Sequence, residues 1–266
     1  MMIQSMSIKS FVANLTFLFT ERPFMERFEA AKAAGFAKVE FMFPYDYNLD
    51  EIKAKLEGLD IELVLFNLPA GDWGNGERGI AIDPKRQDEF RSGVGQAIEV
   101  AQKLGVIQVN CLVGKISHGT KESELWPTLV GNITYAADQL QKQGMRLLIE
   151  PLNHYDAPGF YLNTTDQVLR LIKDVDRPNV LLQWDIYHAR REDEDLLKIL
   201  KDSISQIGHI QIADQPGRHQ PGSGTIDFKT LFTELNKAGY SREIGLEYVP
   251  DPDTETSLEW VKNYSL

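Results

Sequence analysis

The chain has a single cysteine, Cys111, so no intrachain disulfide can form. The thiol follows an apolar run and reads as a core residue rather than a nucleophile. Long hydrophobic runs are also missing. The most signal-like stretch, FVANLTFLF (11–19), contains Asn14 and is too short to span a bilayer. Thr20, Glu21 and Arg22 follow it, so no small-residue cleavage site does. No G-x-G-x-x-G comes after the first apolar run, and G-x-x-x-x-G-K-[ST] occurs nowhere, which removes the two common phosphate cradles. Basic residues are in the minority, 28 against 39 acidic ones, for a net charge of −11. A surface that acidic repels phosphate backbones and argues against a nucleic-acid partner. The five histidines are scattered, with His118 and His154 in loops, and do not form a His-rich zinc site. A membrane partner is not expected, and a reducing cytoplasm is the expected setting.

What is present is ordinary globular composition: 266 residues, 42% apolar and 25% charged. Apolar runs rich in β-branched and aromatic residues recur at 11–19, 38–43, 61–68, 106–114, 146–153, 180–188, 207–214 and 243–250. Helix-like stretches lie between them, including 24–34, 86–104, 125–143, 165–173, 195–204 and 228–238. Gly35, Gly105, Gly144 and Gly239 each stand between a helix-like stretch and the next apolar run. Glycine there accepts the left-handed conformation that ends a helix. Helix, glycine, strand, repeated, predicts a parallel sheet. Eight such units predict a single α/β domain, a (β/α)8 TIM barrel over residues 10–266. Residues 1–9 read as a flexible N-terminus. An open doubly wound sheet is the alternative.

In such barrels the chemistry stands at the C-terminal ends of the strands. The segment RLLIEPLN (146–153) ends an apolar strand on Glu150, and a buried carboxylate there is costly unless charge is needed. Asp185, Gln211 and Glu247 end the next three runs, each about one βα unit further on. Three carboxylates and an amide oxygen make a hard-oxygen set suited to Mg²⁺ or Mn²⁺. Taken singly, each could be a solvated loop residue; their recurrence at successive strand ends points to one shared site. His188 follows Asp185 in DIYH and could meet substrate oxygens or be a hydrogen-bonded loop residue. His209 is expected deeper in the same strand as Gln211. Arg218, in DQPGRHQPGSG, could clamp a carboxylate or be an exposed charge. Glu40 and Asn67 end the second and third runs and could line the same mouth. The loop NLPAGDWGNGERGI (67–80), with Trp73 and Arg78, reads as a lid or as an ordinary long loop.

Several segments together, FMFPYDY (41–47), NLPAGDW (67–73), GERGIA (76–81), NCLVGK (110–115), IEPLNHYDAPGF (149–160), WDIYHAR (184–190), HIQIAD (209–214), GSGTIDF (222–228) and GLEYVP (245–250), resemble the bacterial hydroxypyruvate isomerases of the xylose isomerase-like barrel superfamily. The resemblance runs from about Phe11 to near the C-terminus. It implies interconversion of hydroxypyruvate and tartronate semialdehyde, a small 2-keto acid substrate, and a place in glyoxylate metabolism. It implies Glu150 and Glu247 as the acid–base pair. It implies Glu150, Asp185, Gln211 and Glu247 as divalent-metal positions, with a metal that turnover need not require. His188, Arg218, Asn67 and Lys115 are then expected on the substrate, and a homo-oligomer is compatible with the family. Related ketose 3-epimerases carry histidine where this chain has Gln211, a departure that weakens the epimerase reading and bears on metal affinity. The 2-oxo-tetronate isomerases share the barrel and the glutamates. Outside the isomerases, a non-catalytic sugar-acid binding protein and a DNA-repair endonuclease are the competing classes.

Overall fold

A computed structural model describes residues 7–116 and 121–264. His118 lies outside the described residues. Eight parallel strands close into a barrel in chain order. They are β1 (Val12–Asn14), β2 (Lys38–Glu40), β3 (Glu62–Asn67), β4 (Gln108–Cys111), β5 (Arg146–Ile149), β6 (Val180–Asp185), β7 (Ile207–Ile212) and β8 (Ile244–Leu246). The last strand returns to the first, with Val12 opposite Gly245 and Ala13 opposite Leu246. The intervening helices are α1 (Arg27–Ala33), α2 (Leu49–Leu59), α3 (Gln87–Leu104), α4 (Glu122–Gln141), α5 (Thr165–Val175), α6 (Ile186–Arg191), α7 (Leu196–Ser203) and α8 (Phe228–Lys237), and α9 (Thr254–Ser257) follows β8. The barrel expectation holds, and the open sheet is excluded by the β1–β8 ladder. No helix among the described residues is long and apolar enough to cross a membrane.

The four glycines expected to stop helices all have positive φ: 98° at Gly35, 75° at Gly105, 69° at Gly144 and 71° at Gly239. Three local expectations change. The first apolar run is a strand only over Val12–Asn14. There the Asn14 side-chain oxygen accepts from the Thr16 amide at 3.0 Å, and the Asn14 carbonyl accepts from Leu18 at 2.8 Å. An asparagine side chain satisfying the backbone two residues on starts a turn. Leu15, Leu18 and Phe19 are buried on that turn, which is why they imitate a strand. The run through DIYH ends as a strand at Asp185, whose carboxylate caps α6 by accepting from the Tyr187 amide at 2.8 Å. His188 is therefore helical. Helix α2 is an element that the apolar pattern did not single out.

Contacts divide the chain into two compact units. One comprises Met1–Phe41, Asp50–Val64 and Trp184–Leu266. Its core holds Phe11 edge-on to Trp260 at 5.2 Å and Phe28 edge-on to Phe41 at 6.0 Å. The other comprises Met42–Leu49 and Leu65–Gln183. In it, Leu125, Leu129, Ile133 and Leu140 of α4 recur at helical spacing and are all buried, as are Leu147, Leu148 and Ile149 of β5. Helix α5 starts with a complete capping box between Thr164 and Gln167. Cys111 is buried, and burial pushes its thiol up to about 12, so it is an inert core residue.

Gly245 lacks a side chain for a reason visible in the packing. A Cβ at that position would overlap the Glu40 carboxylate. Gly131, exposed within α4, has nothing near such a Cβ. Thermal denaturation should separate the two: Gly245→Ala is expected to cost about 2 kcal/mol through overpacking. Gly131→Ala is expected to add about 1 kcal/mol through helix propensity.

Candidate active site

Glu150, Asp185, Glu247 and Asn67 stand at or just past the C-terminal ends of their strands, Gln211 lies one residue before the end of β7, and Lys115, His188 and Arg218 follow in the segments after β4, β6 and β7; each compact unit organises its own set. In the unit containing β6 to β8, Asp185 is the last residue of β6, and Glu247 is the first after β8. Both are buried. Arg218 reaches both, with its Nη2 3.4 Å from Asp185 Oδ2 and 3.3 Å from Glu247 Oε2. Its guanidinium also lies over the rings of Phe17, at 4.7 Å, and Tyr187, at 5.0 Å. Burial pushes the Asp185 carboxyl up to about 6, against the Arg218 charge that pulls it down. At neutral pH it remains mainly ionised. His188 Nε2 is 3.5 Å from Asp185 Oδ2. Burial first, then the Arg218 and Arg191 charges, hold the His188 imidazole well below its usual pKa. It is neutral and can both donate and accept.

Arg218 owes its place to the loop after β7. Its backbone is left-handed, φ 57°. At the base of that loop the buried Asp214 carboxylate collects four backbone N–H groups. Oδ1 accepts from Gln215 at 2.8 Å and Ile226 at 3.0 Å. Oδ2 accepts from Gly222 at 2.9 Å and Gly224 at 2.8 Å. Below the mouth, Glu40 at the end of β2 accepts on Oε1 from Asn14 Nδ2 at 3.0 Å and from Gln211 Nε2 at 2.8 Å. His209 Nε2 stands 2.7 Å from Glu40 Oε2, which places His209 in the buried shell expected of it.

In the other unit, Glu150 follows β5 directly and is buried. Asn110 Nδ2 donates to Glu150 Oε2 at 2.9 Å and to Asn67 Oδ1 at 3.2 Å. Asn67 is further fixed through its carbonyl, which accepts from Tyr45 Oη at 2.7 Å. Lys115 lies apart from this trio, with Arg78, Arg86 and Glu77 around a cavity of about 200 Å³. Loop residues there are tied to one another: Arg78 stacks over Trp73 at 3.7 Å, and Trp73 packs edge-on to Phe43 at 5.0 Å.

In the unit that carries β6, the Asp185 carboxylate and the His188 imidazole are buried side by side, and in the other unit Glu150 keeps a buried carboxylate. Carboxylates and a neutral imidazole are donors that fit a divalent cation. Of the four metal positions implied earlier, Glu150 and Asp185 are buried carboxylates at strand ends. Glu247 is engaged by Arg218, and the Gln211 amide nitrogen by Glu40. Asn14, Asn110 and Asp214 were not legible as site residues. For Asn110 a signal existed, a polar side chain inside the apolar run VIQVNCLVG; for Asp214 it was a carboxylate ending the apolar run IGHIQIAD.

The chain belongs to the xylose isomerase-like TIM barrel family, whose profile matches residues 28–264. It is 48% identical over 254 residues to hydroxypyruvate isomerase from Escherichia coli K12, covering 96% of this chain and 98% of that one. It is 39% identical to 2-oxo-tetronate isomerase from Cupriavidus necator, with the same coverage of each chain. A crystal structure described as AP endonuclease, family 2, from Brucella melitensis superposes with a TM-score of 0.93 at 40% identity, over 97% of this chain and all of that one. With relatives of this kind spanning nearly its whole length, the chain is an enzyme of the isomerase class.

Proposed function

We propose that the protein interconverts hydroxypyruvate and 2-hydroxy-3-oxopropanoate (tartronate semialdehyde) by proton transfer through an enediol. The observation that carries this reading is the end-to-end 48% identity with a hydroxypyruvate isomerase. The buried carboxylates after β5 and β8 are the chemistry consistent with it. One of the pair Glu150 and Glu247 removes a proton from C3, the C2 carbonyl oxygen takes up a proton, and an enediol forms. The other glutamate delivers a proton to C2 while the C3 hydroxyl loses its own, leaving the aldehyde. Neutral His188 donates to the developing oxyanion. Arg218 meets the substrate carboxylate, with Asn67 and Lys115 as further contacts. A Mg²⁺ or Mn²⁺ held by Glu150, Asp185, Gln211 and Glu247 would polarise the carbonyl when bound. Turnover is not tied to it in this scheme.

A second reading, isomerisation of a 2-oxo-tetronate, is favoured by the Cupriavidus relative at the same coverage. The net charge of −11 weighs against a DNA substrate. A cytoplasmic setting agrees with the single buried thiol.

Proton NMR of the purified enzyme with hydroxypyruvate in D₂O, first with EDTA and then with Mg²⁺ or Mn²⁺, tests the proposal. Tartronate semialdehyde carrying solvent deuterium at C2 is the expected product. No product under either condition, with turnover of a 2-oxo-tetronate, would replace the first reading by the second.

A further inference from the structure

The cavity of about 200 Å³ beside the loop after β3 is lined by the cations Arg78, Arg86 and Lys115 and by the carboxylates Glu77 and Asp83. Their pairing is uneven. Arg86 donates to Glu89 and Glu77, and those bonds, Glu89's first, hold its guanidinium above its usual pKa. Glu77 also accepts from the Asp72 amide, so it is fully engaged. Arg78 stands in contrast. Its Nη1 donates to the carbonyls of Trp73, at 3.4 Å, and Glu77, at 2.7 Å. No carboxylate meets it among the described residues, and burial pulls it below its usual pKa. A guanidinium carries further N–H donors on Nε and Nη2. Those donors and the Lys115 ammonium have no acceptor among the described residues. Asp83, which accepts from the Lys85 amide at 2.9 Å, is the one lining carboxylate left against these two cations.

Both cations are held in place. Arg78 lies over the Trp73 ring at 3.7 Å. Its neighbours in the chain are pinned: Glu77 by Arg86 and the Asp72 amide, and Gly79 so close to the Leu112 carbonyl that a Cβ there would overlap it. The Lys115 backbone is fixed by its bridge to Phe160, which does not use the side chain. Cations ordered in advance bind an anion at a smaller entropic cost. The cavity is below the range of about 300–1,000 Å³ that takes drug-sized ligands, so the anion is small. The lining charge balances a single negative charge, which a phosphate group, at about −1.5 to −2, exceeds. A guanidinium fork matches the two oxygens of a carboxylate. We propose that Arg78 and Lys115 form a subsite for the carboxylate of a small monoanionic acid. Asn67, Asn110 and Glu150 do not line this cavity, so the subsite is separate from that trio. Hydroxypyruvate is an anion of this class; the inference rests on the isomerase reading for that ligand, whereas the charge pattern does not.

Pyruvate is the probe, because it keeps the carboxylate and lacks the C3 hydroxyl that isomerisation needs. Binding is followed by calorimetry and by tryptophan fluorescence at constant ionic strength. A saturable change is expected with pyruvate, absent with neutral pyruvamide, and its fluorescence part is expected to vanish in Trp73→Phe. Arg78→Lys keeps the charge and loses the fork, and Lys115→Met removes the second cation. Each is expected to weaken binding about tenfold, the scale of one hydrogen bond to a charged group. Melting temperatures taken alongside report the fold, and Lys115→Met leaves the backbone bridge to Phe160 in place. Pyruvate that binds both variants as it binds the wild type overturns the proposal. So does a wild type that shows neither heat nor fluorescence change, or one that binds inorganic phosphate more tightly than pyruvate. Inhibition of hydroxypyruvate turnover by pyruvate separates the two sources of the carboxylate. Competitive inhibition that both variants weaken assigns the subsite to the substrate, and noncompetitive inhibition that both weaken assigns it to a second acid; either supports the subsite. A wild-type enzyme that does not convert hydroxypyruvate would overturn the functional reading instead, and the pyruvate titration would still decide this one.

Discussion

Glu247→Gln is expected to lower kcat for hydroxypyruvate isomerisation by about 10³-fold while leaving the fold intact. The size follows from the role. A positioned general acid–base group contributes roughly 10²- to 10⁴-fold, and an amide of the same shape can neither take nor return the proton. Fold retention follows from the surroundings. Glu247 lies one residue beyond β8; its backbone amide, which the substitution leaves unchanged, donates to the Ile212 carbonyl at 3.3 Å, and its carboxylate faces Arg218 at 3.3 Å. The Arg218 guanidinium keeps Asp185 as a second partner when that charge is removed. KM should therefore change less than kcat. Steady-state kinetics with a melting curve on the same preparation checks both parts. Near-normal turnover by Glu247→Gln would remove it from the proton path and leave Glu150 to be paired with another group.

The largest structural effect is expected away from the reacting atoms, at Asp214. Its two oxygens accept from four backbone amides spread from Gln215 to Ile226. Asp214→Asn keeps the size but turns one oxygen into an NH₂, which then faces either the Gln215 and Ile226 amides or the Gly222 and Gly224 amides. Two donors lose their acceptor and meet another donor. At roughly 1–3 kcal/mol for each buried donor left unmet, the cost is about 3 kcal/mol, or a melting temperature lower by roughly 6–12 °C in a chain of this size. Arg218 rides on this loop with a left-handed backbone, so loss of the anchor should also raise KM for the anionic substrate. A variant with unchanged melting temperature and unchanged KM would show that the loop holds its shape without Asp214.

How far the sequence reached depended on the range of the interaction. The βα alternation was legible because its punctuation is local: the glycine after four of the helices acts on its own backbone, as Gly105 and Gly144 do. Glu150, Asp185 and Glu247 were legible because a carboxylate at the end of an apolar strand conflicts with its surroundings. The limits of β1 and β6 were misread because side chains of Asn14 and Asp185 satisfy backbone amides two residues on. That competition between side chain and ladder leaves apolarity unchanged. The contact of Gln211 with Glu40 spans 171 residues, and nothing at either end announces the other. Register in a closed sheet makes such a pair, and register is not written in any one segment.

The steric bond between Gly245 and Glu40 also orders the routes by which this barrel can diverge. A methyl at 245 has no room while the longer acid stands at 40. Shortening that acid first would draw the carboxylate away from Asn14 and Gln211, which both reach it at hydrogen-bond distance. Each single step is thus worse than either endpoint, and the two positions must change together. Descendants that trade Gln211 for another ligand release Glu40 from one of its hydrogen bonds, and a shorter acid at 40 then leaves room for a side chain at 245.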